Sequence, residues 1–274
     1  MSKRTAETSV AVSDVELGAR SMVTPVLLTY NEEVNIARTL AGLRWARRVI
    51  VVDSYSNDQT ECIARSFSNV SWYQRGFDSH GAQWTFALRE TGIDTPYALA
   101  LDADMEVTVA FVDELRSRFL TGAFGGGVLC FRMVLEGKVL RSGLYPAQLR
   151  VFRPEQVSIR QRGHTQVFET NGPHYRFSSP VMHEDRKSLD WWVKAQLAYA
   201  SLEAERIKRE GIHTWKDRIR MCWWMPAIAG LLGYVLAGGP AGGRGAARYA
   251  LERAMFESLL AIRLIEQGRQ DSVK

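Results

Sequence analysis

The chain has 274 residues, enough for one sizeable core with a smaller attachment but not comfortably for three domains. Hydrophobic residues make up 46% and charged residues 24%, which argues against a disordered chain and against a polytopic membrane protein. The formal net charge of +5 fits nucleic acid, an anionic membrane surface or a phosphorylated substrate and does not choose among them.

The three cysteines, Cys62, Cys130 and Cys222, are odd in number and far apart. This pattern argues against a disulfide framework and a zinc site, and it predicts reduced cysteines in a cytosolic chain. Residues 1–22 lack the continuous apolar core of a secretory signal, so we expect them to form a flexible tail.

Two strand–loop–helix units come next, in "VTPVLLTYNEEVNIARTLAGL" from Val23 and in "RRVIVVDSYSNDQTECIARSF" from Arg47. In the second unit residues 49–52 are β-branched and read as a strand that is buried on both faces. Further strands are predicted at residues 70–75 and in "YALALDADMEV", with a helix between them. Such a series predicts an α/β fold with a mostly parallel central sheet flanked by helices, completed after Gly127 by antiparallel or mixed strands.

Four polar segments follow the predicted strands, at the end where parallel sheets bind their ligands. We therefore expect these segments to converge on one cleft. They are Thr29–Glu32, Asp53–Asp58, Arg75–Asp78 and Asp102–Asp104.

Asp102 and Asp104 are separated only by Ala103. Carboxylates this close repel each other, and burying them without a partner costs free energy or raises one pKa. A divalent cation removes the conflict, because carboxylate oxygens suit Mn²⁺ or Mg²⁺ and leave positions for phosphate oxygens. We predict both aspartates to be metal ligands; the alternative is that the pair caps a turn and faces solvent.

The C-terminal region, residues 189–274, is predicted to be helical, and its segment 221–243 contains no charged residue. Pro226, Pro240 and six glycines interrupt the run, which is too broken for a full membrane span and fits an interfacial, re-entrant or core helix. Tryptophans beside basic residues are typical of the headgroup level of a bilayer. These residues are Trp223, Trp224, Lys216, Arg218 and Arg220.

Three ordered motifs, "LLTYNEEVNIARTLAGL", "VIVVDSYSNDQT" and "LALDADMEV", together resemble glycosyltransferase family 2. The resemblance implies the GT-A fold and inverting transfer from a nucleotide sugar, and it covers residues 26–107. With "QLRVFRP" and the C-terminal apolar and helical segments, the chain is more narrowly similar to bacterial lipopolysaccharide-core glucosyltransferases. We expect the chain to consist of a tail (1–22), a nucleotide-sugar-binding catalytic domain (23–188) and a C-terminal helical region (189–274).

The resemblance also implies roles for individual residues. Asp53 would read the base or ribose, Asp102 would lie near the ribose and metal, and Asp104 would be the principal metal ligand. The expected nucleotide-contacting residues are Thr29, Tyr30, Asn31, Glu32, Asp53, Ser54, Ser56, Asp58, Arg75, Gln83, Asp102 and Ala103.

The general base is where the sequence departs from the family. Where an acidic "HE" or "ED" motif is expected, the chain has "GHTQ" at residues 163–166, and an acidic cluster "HEDR" follows at residues 183–186. Glu184 or Asp185 is a candidate for the base, unless they cap the next helix, and His164 is a second candidate unless it is structural. Arg186 is available for a phosphate. The other histidines, His80, His174 and His213, have no such constellation and are expected to be surface or packing residues.

These features predict a metal-dependent hexosyltransferase that uses Mn²⁺ or Mg²⁺, a nucleotide-diphosphate-sugar donor and a lipid-linked saccharide or lipopolysaccharide acceptor. We expect a cytoplasmic enzyme that is peripheral on the inner face of the bacterial cytoplasmic membrane. Two alternatives are an inactive nucleotide-sugar-binding scaffold and a sugar-phosphate nucleotidyltransferase, although the acidic "TYNEE" loop fits the latter poorly. A nucleic-acid partner is not expected, because the basic residues form no aromatic-interleaved patch.

Overall fold

The computed structural model describes residues 22–162, 165–211, 215–220 and 222–271. All of the predicted tail except Met22 lies outside this part of the chain. The strands are β1 (Val23–Thr29), β2 (Val49–Asp53), β3 (Val70–Gln74), β4 (Tyr97–Asp102), β5 (Met105–Glu106), β6 (Gly126–Leu129), β7 (Phe131–Leu135), β8 (Lys138–Val139), β9 (Gln148–Phe152), β10 (Ser158–Arg162), β11 (Thr165–Glu169), β12 (His174–Arg176) and β13 (Val181–His183).

The helices lie between the early strands and then fill the C-terminal region. They are α1 (Ile36–Ala41), α2 (Thr60–Arg65), α3 (His80–Arg89), α4 (Val109–Glu114), α5 (Leu189–Glu210), α6 (Trp215–Arg220), α7 (Met225–Leu236) and α8 (Gly243–Asp271). A π-helical turn, Leu115–Phe119, extends α4.

The central sheet has seven strands within the described residues, in the order β12-β6-β9-β4-β1-β2-β3. Strands β4, β1, β2 and β3 are parallel neighbours, as the repeated strand–helix pattern predicts. Strand β9 is antiparallel to both β4 and β6, so the sheet is mixed, with its parallel half at the N-terminal end of the chain. The completion of the sheet by antiparallel strands agrees with the sequence-based expectation.

Two hydrophobic layers cover the two faces of this sheet. Because successive side chains of a strand point to opposite faces, Val49 and Val51 join one layer while Ile50 and Val52 join the other. All four are fully buried, which agrees with the prediction that residues 49–52 form a strand covered on both sides. The parallel strands are therefore rigid supports for the loops at their carboxyl ends.

A second, four-stranded sheet stands beside those loops, in the order β5-β13-β7-β8 within the described residues. The run "YALALDADMEV" therefore does not form one strand, since it contributes β4 to the large sheet and β5 to the small one. Strand β13 pairs with β5 so that His183 lies opposite Met105, next to Asp104. This pairing brings a segment 79 positions away to the predicted metal motif.

The C-terminal helices form a layer of their own, in which α8 contacts α5 and α7. The approach of α7 to α8 is close at Gly230, where an added Cβ would lie 3.1 Å from Ala254 Cβ. No single helix among the described residues has both the length and the apolarity to cross a membrane. Met225–Leu236 and Gly239–Gln267 reach those criteria only as a pair that is bent by 74°.

Candidate active site

The loops after β1 and β2 are joined by hydrogen bonds around the buried carboxylate of Asp53. Thr29 Oγ1 donates to Asp53 Oδ1 at 3.0 Å, and Ser56 N donates to Asp53 Oδ2 at 2.8 Å. The backbone N–H of Asn31 in turn donates to Ser56 Oγ at 2.8 Å. Asn31 has a positive φ of 53°, a conformation that asparagine tolerates better than most residues. The first two predicted nucleotide loops thus form one rigid unit.

Farther along the same loops, the side chains of Asp58 and Thr60 accept hydrogen bonds from the backbone of the first loop. Glu32 N donates to Thr60 Oγ1 at 2.8 Å, and Glu33 N donates to Asp58 Oδ2 at 3.1 Å. Tyr30 is exposed beside them, so an aromatic ring borders the open side of the loop unit. An exposed ring next to fixed polar groups suits contact with a planar base.

The third predicted segment joins this unit through Gln83, which is fully buried at the start of α3. Its Nε2 donates to Ser54 Oγ and to the carbonyl oxygen of Arg75, both at 2.9 Å. Arg75 returns a bond to Gln83 Oε1 at 2.6 Å and forms a two-bond ion pair with Asp78. The structure therefore brings the first three predicted polar segments together.

Asp102 ends β4 and is paired with Arg150 of β9. The two guanidinium nitrogens of Arg150 lie 3.1 and 3.4 Å from the carboxylate oxygens of Asp102. Burial alone would lower the pKa of Arg150, but Asp102 reverses this and the pKa is raised. Between the two aspartates, Ala103 is buried and its carbonyl accepts from Thr39 Oγ1 at 2.6 Å. Asp102 therefore has a fixed cationic partner of its own, which sequence reasoning did not identify.

Asp104 is largely buried and has a different partner, because His183 Nε2 lies 3.0 Å from its Oδ2. Burial by itself would raise the pKa of Asp104, but His183 and Lys187 outweigh it and lower the pKa to about 2. Burial would likewise lower the pKa of His183, and the charge of Asp104 reverses this so that the pKa is raised. Each aspartate is thus balanced by a separate basic group, and this arrangement reduces their mutual repulsion.

Residues 183–187 contact both Asp104 and the residues that follow β1. His183 contacts Asp104, Asp185 accepts from Asn35 Nδ2 at 2.9 Å, and Lys187 reaches the carboxylate of Glu32. These three side chains therefore contact residues at the carboxyl ends of β1 and β4.

The intervening residues, Glu184 and Arg186, bond to each other at 2.9 Å, and Glu184 also pairs with Arg38 at 3.3 Å. Arg186 is more than half exposed, whereas the side chain of Lys187 is only 8% exposed. Lys187 is therefore the cation enclosed beside Glu32, whereas Arg186, which we expected to be available for a phosphate, is exposed and paired with Glu184. Of the two acidic candidates for the base, Asp185 lies on the side of Asp104 and Glu184 on the side of Arg38.

Glu32 is a buried carboxylate at the centre of this arrangement. Its oxygens accept from Lys187 Nζ and, at 2.8 Å, from Asn35 Nδ2. Burial and then the charge of Asp104 raise the pKa of Glu32 to about 7, although Lys187 acts in the opposite direction. Lys187 Nζ also lies 3.7 Å from the ring centre of Trp191, on the first turn of α5. The start of α5 is therefore tied to the first nucleotide loop.

Three more side chains are affected by the charges or rings of the candidate site. The ring of Tyr145 meets His183 edge-on with 5.1 Å between centres, and burial raises the pKa of Tyr145 to about 12. Burial and then the charges of Asp102 and Asp104 raise the pKa of Tyr199 to about 12. Burial lowers the pKa of His80, with Asp102 opposing the shift and Arg150 adding to it. His80, which we expected to be a surface or packing residue, is half-buried and packs against Phe77.

The remaining predicted residues fall elsewhere. His164 and Gly163 of the "GHTQ" segment lie outside the described residues, as does His213, while Thr165 and Gln166 begin β11. His174 is exposed, and its Nε2 lies 2.9 Å from Thr170 Oγ1. The structure thus assembles every predicted nucleotide and metal residue and both acidic base candidates around one edge of the sheet, leaving His164 undescribed.

The side-chain atoms at Asp104 could act as ligands of a divalent cation. Asp104 Oδ1 and His183 Nδ1 are buried polar atoms without a hydrogen-bond partner. Mg²⁺ is commonly held by one or two carboxylates together with substrate phosphates and water, so a single carboxylate of this kind is sufficient. No group of three or more His, Cys, Asp or Glu side chains that could hold a metal occurs in the described part of the chain. A cation here would therefore depend on further oxygens from the expected nucleotide-sugar substrate.

The profile of one protein family, described as Glycosyl transferase family 2, matches residues 25–172, which is more than half of the chain. Among solved structures, the chain is similar to S. aureus TarS 1–349 in complex with UDP-GlcNAc, with 14% identity over 92% of each chain and a TM-score of 0.50. It is also similar to glucosyl-3-phosphoglycerate synthase from Mycobacterium tuberculosis in complex with Mn²⁺, UDP and glucosyl-3-phosphoglycerate. That match has 16% identity, covers 77% of this chain and 88% of the other, and has a TM-score of 0.47. The search of curated proteins returned no match.

Proposed function

The chain belongs to glycosyl transferase family 2, the nucleotide-sugar-dependent glycosyltransferases with a GT-A-like fold, and from this premise we propose an inverting hexosyl transfer to a membrane-borne acceptor. The donor is a nucleotide-diphosphate sugar, and the acceptor is a lipid-linked saccharide or a lipopolysaccharide-type glycan. The observation that carries the proposal is the meeting of Asp104, His183 and Asp185 beside the linked loops after β1 and β2.

The donor would bind across the carboxyl ends of the parallel strands. Asp53 is fully buried and is held by Thr29 and Ser56, so it would fix the shape of the loops that receive the base or ribose, while the exposed ring of Tyr30 would cover the base. Because these groups are fixed before binding, little ordering has to accompany nucleotide recognition. This rigidity supports assigning the loop unit to the nucleotide.

The diphosphate would lie toward Asp104. Mn²⁺ or Mg²⁺ would be held by Asp104, together with Asp102 or His183, and when bound it neutralises the charge that grows on the departing diphosphate. Lys187 lies on the same side of the cleft and adds a fixed positive charge next to Glu32. These residues place positive charge where an anionic leaving group needs it.

We assign the general base to Asp185. The acceptor hydroxyl must lose its proton as it attacks the sugar carbon from the face opposite to the diphosphate. Asp185 Oδ1 is fixed by Asn35 and by the backbone N–H of Lys187 at 3.0 Å, and the carboxylate lies on the cleft side of its segment. Glu184 is paired with two arginines on the other side, which makes it the weaker candidate.

We place the reaction at the inner face of the bacterial cytoplasmic membrane, with the enzyme bound peripherally. An amphiphilic acceptor would explain why the catalytic fold carries a C-terminal layer with an apolar, charge-free segment. The TYNEE loop disfavours nucleotidyl transfer, because its Glu32 and Glu33 are acidic where a phosphate loop carries glycine and basic residues. An inactive scaffold remains the competing function, and turnover separates the two.

The decisive experiment is a screen of nucleotide sugars for protection against thermal unfolding, with and without Mn²⁺, followed by transfer assays with the donor that protects. A ligand that binds the native state raises the melting temperature, so the donor is found before the acceptor is known. The proposal expects metal-dependent protection by one class of nucleotide sugar and release of its nucleoside diphosphate. Protection without any turnover on lipid-linked or lipopolysaccharide acceptors would favour the scaffold.

A further inference from the structure

Helix α7 has an apolar outer face that nothing in the described chain covers. Trp223, just before the helix, is 84% exposed, and Leu231 and Val235 are 66% and 54% exposed. Ile228 and Leu232 lie between them and are also exposed. Exposed apolar residues that adjoin in this way mark an interaction site rather than scattered surface leucines.

The inner side of the same helix is apolar as well. Ala229, Gly230 and Gly233 are buried, and Gly230 approaches Ala250 and Ala254 of α8. A helix that is apolar all round belongs in a protein core or in lipid. Because α7 has a neighbour on only one side, the core reading of segment 221–243 does not account for its outer face.

The charges on either side of the segment point to an anionic bilayer. Arg218 precedes the segment and Arg244 follows it, with no charged residue between Arg220 and Arg244. The adjoining Arg220 and Arg248 are engaged in ion pairs with glutamates of the chain. Arg218 and Arg244 are exposed. Arginines at both ends of an apolar segment match anionic headgroups around a hydrocarbon layer, and tryptophans are enriched at that depth.

The length of α7 decides how the helix would lie. Its 12 residues make about 18 Å of helix, well short of the roughly 30 Å of the hydrocarbon core. The 74° bend between α7 and the following segment also prevents one straight span. Because the helix is too short to span and α8 covers its inner face, α7 would lie along the membrane surface with its outer face in the acyl boundary.

The pair of helices α7 and α8 is connected to the candidate active site through residues 141–145. Arg141 N donates to the carbonyl of Ala237 at 3.3 Å, and Leu144 N donates to Tyr249 Oη at 2.6 Å. The next residue, Tyr145, contacts His183. The helix pair therefore supports the loop that carries Tyr145, next to the candidate site.

We propose that α7, with Trp223 and Trp224, lies in the plane of one leaflet of an anionic membrane and that the exposed Arg218 and Arg244 contact lipid phosphates. The location rests on the proposed function, whereas binding to lipid is a separate property of the helix. The occupant of the face is a bilayer and not a second copy of the chain.

Flotation of the full chain with phosphatidylcholine vesicles, with and without about one third phosphatidylglycerol, tests this proposal. The variant L231E/V235E places charges on the outer face, and V109E/V139E is the matched control because Val109 and Val139 are also exposed apolar residues. We expect binding to anionic vesicles to fall at least about tenfold in L231E/V235E and to stay unchanged in the control. R218Q/R244Q should weaken binding only to the anionic vesicles.

Unchanged flotation of L231E/V235E would overturn the proposal. It would also be overturned if the wild type did not float but formed a dimer, and L231E/V235E were a monomer. Thermal protection by nucleotide sugars is measured in parallel. A wild type that is protected by a donor but does not float would refute the docking while leaving sugar transfer intact. Flotation without protection by any donor would refute the transferase and leave the docking in place.

Discussion

Lys187 forms a buried ion pair with Glu32, although the two residues are 155 positions apart in the chain. The pair connects the loop after β1 with the segment that carries Asp185, and Trp191 packs against the ammonium group. Because both charges are largely withdrawn from water, each depends on the other for neutralisation. The loop after β1 and the segment that carries Asp185 are thereby held in one arrangement.

Replacing Lys187 with Met should destabilise the protein, because it leaves the Glu32 carboxylate buried and without its cation. We expect a loss of roughly 2–4 kcal/mol in the free energy of unfolding by urea denaturation at pH 8. The double variant K187M/E32Q should recover a large part of that loss, since the uncompensated charge is gone. Equal stability of K187M and K187M/E32Q would show that the pair is not coupled.

Replacing Asp104 with Asn should remove metal-dependent turnover. The amide keeps the shape of the side chain but loses the charge that faces His183 and the expected cation, so we expect kcat to fall by roughly 10²–10³-fold. The measurement is the release of nucleoside diphosphate over a Mn²⁺ titration, with circular dichroism as the control for folding. Wild-type activity in D104N would remove the metal assignment.

Replacing Asp185 with Asn tests which of the two neighbouring acidic residues, Asp185 or Glu184, is the general base. We expect kcat to fall by about 10²–10⁴-fold with little change in donor binding, because a general base acts on the acceptor proton and not on the nucleotide. Glu184→Gln is the matched control, since Glu184 pairs with Arg38 and Arg186 on the other side of the segment. A greater loss in E184Q than in D185N would reverse the assignment.

Glu114 gives a pH-dependent prediction for stability away from the cleft. Its carboxylate accepts from Tyr175 Oη at 2.8 Å and from the backbone N–H groups of Ser178 and Ser179 at 2.8 and 2.7 Å. Burial would raise the pKa of Glu114, but these bonds outweigh it and lower the pKa to about 2 from 4.5. The stabilisation is therefore fully present above pH 4.5 and is lost as the pH falls toward 2.

At pH 7, E114Q should lower the melting temperature by about 3–8 °C, since hydrogen bonds to a charged group contribute about 1.5–3 kcal/mol. The difference from the wild type should shrink steadily between pH 4.5 and pH 2. Asp113→Asn, at the exposed neighbouring position, is the control and should change little at any pH. A difference between E114Q and the wild type that stays constant down to pH 2 would contradict the depressed pKa.

The sequence alone determined the parallel half of the sheet and the position of the donor loops. Residues 49–52 are uniformly β-branched, and polar residues follow each strand, so local pattern and the geometry of parallel sheets were sufficient to predict where Thr29, Asp53 and Asp102 would meet. The charge-free segment 221–243 was equally visible. Whether it was core or surface was not, because a short apolar run is compatible with either.

Only the tertiary structure decided which side chains face one another in the cleft. Arg150 reaches Asp102 across 48 positions and His183 reaches Asp104 across 79. Both partners lie in segments that the sequence singled out, "QLRVFRP" and "HEDR", but nothing local to either segment indicates which aspartate it meets. The contact of His183 with Asp104 depends on the register of β13 against β5, since a shift of one residue would turn His183 to the other face of the strand. Register is determined by pairing between distant strands, so no window of neighbouring residues contains it.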